Sequence, residues 1–91
     1  MLNVEYGERF LKDLKKLRKN KIYEDVKDLC FAQMPSCEDL RFIPNLKKME
    51  GYRNYYRIRV GDYRIGLKVE DQKVLLMRVL HRKEIYKYFP R

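Results

Sequence analysis

Ninety-one residues with 45% hydrophobic and 38% charged side chains fit one small globular domain over residues 1–91 and exclude a disordered chain. Apolar runs stop at about four residues, against the ~20 a bilayer-spanning helix needs, and Met1-Leu2-Asn3-Val4-Glu5 has no charged, apolar leader pattern, so a cytoplasmic protein without membrane contact is expected. The net charge is +9 and all of it lies in the second half: residues 1–40 balance eight Lys/Arg with eight Asp/Glu, whereas residues 41–91 set fourteen against five.

Along the chain, Leu2, Val4 and Tyr6 alternate with polar residues, the period of a short strand, and Gly7 ends it. Phe10, Leu14 and Leu17 then fall at helical spacing, with Lys12, Asp13, Lys15, Lys16 and Lys19 on the other faces. This predicts an amphipathic helix ending near Asn20. Ile22, Val26, Leu29 and Cys30 form the stripe of a second helix, expected to stop at Met34-Pro35 because a residue before proline is pushed out of helical geometry. Two helices with so short a link predict an antiparallel hairpin covering a sheet. Cys30 and Cys37 have no nearby histidine to complete a zinc set, and reduced thiols are expected.

Residues 35–51, with Pro35, Pro44, Asn45 and Gly51, read as a loop with room for one short helical turn. Three strands follow at about 52–60, 62–70 and 73–80. Gly61-Asp62 makes a tight turn between the first two, and Asp71-Gln72 makes the next. Residues 82–89 are a short helix or an irregular tail. The fold class is α+β: an N-terminal strand and a helical hairpin packed on a small twisted, mainly antiparallel sheet.

With Gly61 and Asp62 as the loop, Val60 pairs with Tyr63, Arg59 with Arg64, Ile58 with Ile65 and Arg57 with Gly66. Alternation then puts Tyr56, Ile58, Val60, Tyr63, Ile65, Leu67 and Val69 on the core face. Arg53, Arg57, Arg59, Arg64 and Tyr55 share the other face, where Gly66 leaves open space beside Arg57. One arginine on an edge hairpin is an ordinary solvated residue. Four on one face, two of them opposed at a cost of a few tenths to ~1 kcal/mol, point to a polyanion. The guanidinium fork pairs two phosphate oxygens and stacks on bases, and nearby tyrosines add stacking that suits single-stranded RNA.

The tail adds chemistry. His81, the single histidine, lies at the last strand's end, and one helical turn would set Arg82 beside Tyr86. Guanidiniums, a phenol and an imidazole together can cleave RNA without a metal. The 2′-hydroxyl attacks the adjacent phosphorus, arginines stabilise the pentacoordinate phosphate and a proton carrier serves the oxygens. No Asp/Glu/His cluster in this region suits two-metal hydrolysis. A lone histidine at a strand end is commonly a plain surface residue, so the proton carrier stays open between His81 and Tyr86.

Three segments in order carry a family resemblance: Leu46-Lys47-Lys48-Met49-Glu50-Gly51, Tyr56 to Ile65, and Val79-Leu80-His81-Arg82-Lys83-Glu84-Ile85-Tyr86. They resemble the RelE/ParE family of bacterial toxins, the RelE branch most, and the resemblance extends over essentially the whole chain. It implies a toxin that cuts mRNA in the ribosomal decoding site, against 16S rRNA, without metal or cofactor, held inactive by a cognate antitoxin. By position it implies Arg64, Arg82 and Tyr86 as catalytic residues, with Tyr88 an alternative counterpart of the family tyrosine; His81 joins that set as a candidate from its own place at the strand end. The family's two basic strand residues fall on Arg57 and Arg59, and with Lys47, Lys48 and Tyr55 these make up the candidate substrate-binding set.

One departure matters. Where RelE-like members can carry lysines on that strand, this chain has Arg57 and Arg59, which are never deprotonated and so cannot act as a general base. The role passes to Tyr86 or His81, with Glu50 a further candidate. Two rivals stand beside this reading: a ParE-like DNA gyrase inhibitor, and an RNA- or ribosome-binding module without chemistry. Arg78 joins no site, since a two-residue and a three-residue turn before it put it on opposite faces.

Overall fold

A computed structural model describes residues 1–90 of the chain. Among them the elements run β1 (Asn3–Tyr6), α1 (Glu8–Lys16), α2 (Tyr23–Asp28), a π-helical turn (Leu29–Gln33), α3 (Met34–Ser36), a 3-10 turn (Leu40–Phe42), β2 (Leu46–Lys48), β3 (Tyr55–Val60), β4 (Tyr63–Glu70), β5 (Lys73–His81) and α4 (Ile85–Tyr88). The strands form one sheet in the order β1-β5-β4-β3-β2. β1 runs parallel to β5, and the remaining pairs are antiparallel. The expected α+β class is the observed one.

The β3–β4 register is the expected one, with Val60 on Tyr63, Arg59 on Arg64 and Arg57 on Gly66. Gly61 makes it possible by taking φ +58 at the first turn position, a conformation that costs a side chain. Two departures concern strands. β2, inside the segment expected as loop, pairs with β3 along Leu46–Ile58, Lys47–Arg57 and Lys48–Tyr56. A bulge shifts the β4–β5 register between Gly66 and Leu67, so that Gly66 faces Arg78 while Leu67 faces Leu76. Met77 is the extra residue, and this settles the face of Arg78.

The main core lies between the sheet and the helices. Phe10, Leu14, Val26, Leu29, Cys30 and Met34 meet Ile58, Ile65, Leu67, Val69, Val74, Leu76 and Val79, all buried. The second helix does not stop before its proline. Met34 keeps helical angles (φ −63, ψ −45), and the chain turns extended only at Cys37. A proline ring clashes with the carbonyl four residues back, here that of Phe31. The wider π turn over Leu29–Gln33 moves that carbonyl aside and lets the helix run three residues further. Tyr6 ties β1 to this turn, donating its hydroxyl to the Cys30 carbonyl at 2.8 Å and stacking on Phe31 at 4.4 Å.

Burial pushes the Cys30 thiol up to about 12, so almost no thiolate exists at neutral pH. Cys37 is half-buried, and both cysteines are free. Iodoacetamide on the native protein is expected to label Cys37 and spare Cys30, as read by peptide mass.

A second, smaller core sits on the far face of the sheet. The tail folds back over it, burying Ile85 and Phe89, which are not part of the helix-side cluster. The Phe89 ring fills the space above Gly66: a Cβ there would come within 2.7 Å of it. The open space expected beside Arg57 is therefore occupied. A Gly66→Val variant should push the tail off the sheet. The expected readout is fast amide exchange over residues 85–89 with β3–β5 still protected.

Candidate active site

The β3–β4 hairpin and the short β2 build one cationic cleft. Alternation puts Arg57 and Arg59 on the face away from the helices, the tight turn sets Arg64 opposite Arg59, and β2 brings Lys47 opposite Arg57. Together with Asn45 and Leu46, these four cations line a shallow cleft of about 350 Å³. Among the described residues none of the four has a carboxylate within 4.0 Å. Opposed arginines repel, and a bound phosphate would turn that repulsion into attraction.

Arg64 is aimed by its own turn. Its Nη1 donates to the carbonyls of Gly61 (2.9 Å) and Tyr63 (3.0 Å), which leaves the remaining guanidinium N–H groups for a ligand. Arg82 is fixed to the same turn: its backbone N–H donates to the Asp62 carbonyl at 2.7 Å and its Nε lies 3.7 Å from the Asp62 carboxylate. Both groups of that ion pair are exposed, so it orients Arg82 more than it stabilises the fold.

Other expected residues stand elsewhere. His81 pairs with Tyr63, and the two rings meet edge to face at 5.4 Å, on the helix side of the sheet. There it borders Asn20, Lys21 and Ile22. Its Nδ1 accepts the Lys83 N–H at 3.1 Å, a bond that caps the tail's first turn. His81 is therefore not in the arginine cleft, because Arg64 and its neighbour on β5, Leu80, hold the far face at that end. Lys48 pairs with Tyr56, a core-face position, and so points away from Lys47. Tyr55 is not an open stacking platform: its ring packs against Phe89 at 5.6 Å and against Tyr52 at 6.4 Å, with Lys68 Nζ 5.8 Å from its centroid. Arg53 and Glu50 lie before β3 around a separate depression with Tyr52.

α4 starts at Ile85, so Arg82 sits in the preceding turn and does not share a helical face with Tyr86. Tyr86 is 51% exposed and has no aromatic or cationic neighbour among the described contacts. Tyr88 is engaged, its ring 5.5 Å from the Arg78 guanidinium carbon.

Comparison with known proteins decides the family. The model of the ParE toxin of the type II toxin–antitoxin system parDE matches residues 4–86. The chain is also 42% identical over 95 residues to toxin RelE3 of Methanocaldococcus jannaschii, covering 98% of this chain and 100% of that protein. The chain belongs to the RelE/ParE toxin family.

Solved family structures agree with the fold. The RelB–RelE antitoxin–toxin complex from Methanococcus jannaschii superposes with TM-score 0.79 at 41% identity, over 94% of this chain and 99% of that one. The toxin–antitoxin complex RelBE2 from Mycobacterium tuberculosis gives 0.68 at 28% identity, over 89% and 98%. The E. coli DinJ–YafQ complex, at 19% identity and TM-score 0.73 over 94% and 99%, shares the fold.

Reading the sequence of this RelE/ParE chain misses one group at the β5 edge of the sheet. Asp13, expected on an outer face of α1, is 6% exposed and accepts from Arg78 Nε (2.8 Å), Arg78 Nη2 (3.1 Å) and the Val79 N–H (3.1 Å). β1 covers β5 only to Leu76, so Asp13 takes over the edge N–H beyond it. The Asp13 hydrogen bond holds the Arg78 guanidinium above its usual range. With Tyr88 on the other side of that guanidinium, the three residues clamp α1, β5 and α4 together. The signal was present: Asp13 is three residues after Phe10 and four before Leu17, which is on the buried stripe.

Proposed function

We propose that this chain is the toxin of a toxin–antitoxin pair and acts as a metal-independent endoribonuclease that cuts mRNA on the ribosome. The observation that carries the reading is the cleft: Arg57, Arg59 and Arg64 line one open space with no carboxylate within 4.0 Å of them among the described residues. Arg57, Arg59 and Lys47 would hold the backbone. The substrate's 2′-oxygen forms a bond to the adjacent phosphorus, the bond to the 5′-oxygen breaks, and a 2′,3′-cyclic phosphate and a 5′-hydroxyl result. Arg64, with Arg82 from across the turn, would stabilise the negative charge of the pentacoordinate phosphate. Tyr86, exposed on α4, would stack on a base or carry the proton from the 2′-oxygen. His81, on the other side of the sheet, drops out of the proposed chemistry. The relatives solved with antitoxins support a cognate antitoxin as the partner.

A second reading, inhibition of DNA gyrase, is what resemblance to the ParE branch implies, and the ParE toxin model matches residues 4–86. Primer extension on mRNA from a translating extract separates them. Cuts that need ribosomes are the expected result. Intact mRNA with blocked supercoiling would replace the nuclease by the gyrase reading, and neither effect would leave a binding module.

A further inference from the structure

The neutral first half of the chain hides a segregation of charge. Residues 9–21 hold seven Lys/Arg and a single acid, Asp13, whereas residues 22–40 hold one lysine and five acids. Asp13 is buried on Arg78 and neutralises nothing at the surface. All seven cations are exposed. Among the described residues only Lys12 has a carboxylate in reach, Glu8 at 3.7 Å. Charge that merely keeps a helix in solution is interspersed in sign, because like pairs four apart, such as Lys12 and Lys16 on α1, destabilise the helix. A polyanion along this face would reverse that cost.

The face reaches the turn that borders the cleft. Just after α1, Asn20 Nδ2 donates to the Tyr63 hydroxyl at 3.1 Å, and Lys21 lines a cavity with Gly61, Asp62 and His81. Gly61 and Asp62 are the turn that fixes Arg64 and Arg82 from its other side. Positive charge therefore flanks the turn on two sides, the cleft on one and the α1 lysines on the other, with the Asp62 carboxylate on the turn itself held beside Arg82, on a molecule 33 × 29 × 22 Å across. A single strand lying in the cleft engages only one of these surfaces, whereas folded RNA beside that strand meets both. The residues also differ in kind: the cleft is built of arginine forks, while α1 carries mostly lysines, point charges suited to backbone contact without sequence readout.

We propose that the outer face of α1 and the turn after it form a second RNA-binding surface, which grips the phosphate backbone of structured RNA while the arginine cleft holds the strand to be cut. The proposal rests on the nuclease reading for its biological setting, with ribosomal RNA as the structured partner. The test is a combined Lys12→Gln, Lys16→Gln and Lys19→Gln variant, all at exposed positions, titrated against purified ribosomes and against a stable RNA hairpin at several salt concentrations. The expected result is an affinity about tenfold or more weaker for both, with the slope of log K against log salt shallower by about 2–3. Unchanged affinity and slope for the hairpin would overturn the proposal. So would a variant that keeps its RNA affinity and loses antitoxin affinity, which would make the face a site for an acidic protein. Failure of the nuclease reading is separable: weakened hairpin binding by the variant, with no mRNA cut by the parent protein, upholds the α1 surface and removes only the cutting.

Discussion

Replacing Arg64 by alanine is expected to lower ribosome-dependent mRNA cleavage by about two to three orders of magnitude, the cost of removing one aimed donor to a transition-state oxyanion. The geometry says why this residue and not its neighbours should dominate. Among the described residues Arg57 and Arg59 stand on β3 with no hydrogen bond to orient their guanidiniums, whereas Arg64 is braced on the carbonyls of Gly61 and Tyr63. A braced guanidinium needs little reorganisation when charge develops on the phosphate. The same variant should be close to neutral in stability, since it loses two turn hydrogen bonds but also the repulsion from Arg59 opposite. Arg64→Lys should recover only part of the activity, because a point charge cannot reproduce the fork. Primer extension gives the cleavage and a thermal melt gives the stability. Undiminished cutting by Arg64→Ala would remove the assignment.

How far the sequence could be read follows from which interactions are local. The Gly61-Asp62 turn fixes its own register, so the cross-strand partners of Arg57, Arg59 and Arg64 were legible from a few adjacent residues. The core face of that hairpin was legible for the same reason. What could not be read is set by segments that meet across the fold. Gly66 looked like open space because nothing nearby in sequence fills it; Phe89, from the tail, does. His81 looked like part of the basic tail, but the bulge at Met77 shifts the alternation along β5 and helps to set its side of the sheet. β2 has only three residues and two of them are lysines, so it exists because β3 offers an edge, not through any pattern of its own. The continuation past Pro35 depended on a π turn, which no propensity of Leu29–Gln33 announces. Family resemblance pointed to Arg57, Arg59 and Arg64, which line one cleft, and said nothing of the Asp13–Arg78–Tyr88 clamp.

That clamp carries the largest stability prediction. Asp13→Ala is expected to destabilise the protein by about 2–3 kcal/mol, because it strips the partner from a mostly buried guanidinium and leaves the Val79 N–H without an acceptor. For a domain of this size that corresponds to a fall in Tm of about 10–20 °C. The figure sits below the cost of breaking a fully buried pair because the Arg78 side chain keeps 17% exposure and can recover some hydration. Asp13→Asn should cost less, since the amide oxygen can still accept one of the three bonds. The discriminating measurement is a double-mutant cycle. If the loss comes from an orphaned charge, Arg78→Met in the Asp13→Ala background restores part of the Tm; if it comes only from a hole under α1, the second change adds to the damage. The first outcome is expected, because a flexible apolar chain fills that volume without a charge to satisfy. Tyr88 then loses the guanidinium it lies against, and α4, four residues long, rests on Ile85 and Phe89 alone. The rescued double variant should therefore be stable yet show faster amide exchange at residues 85–88, separating what holds the fold together from what holds α4 on the sheet.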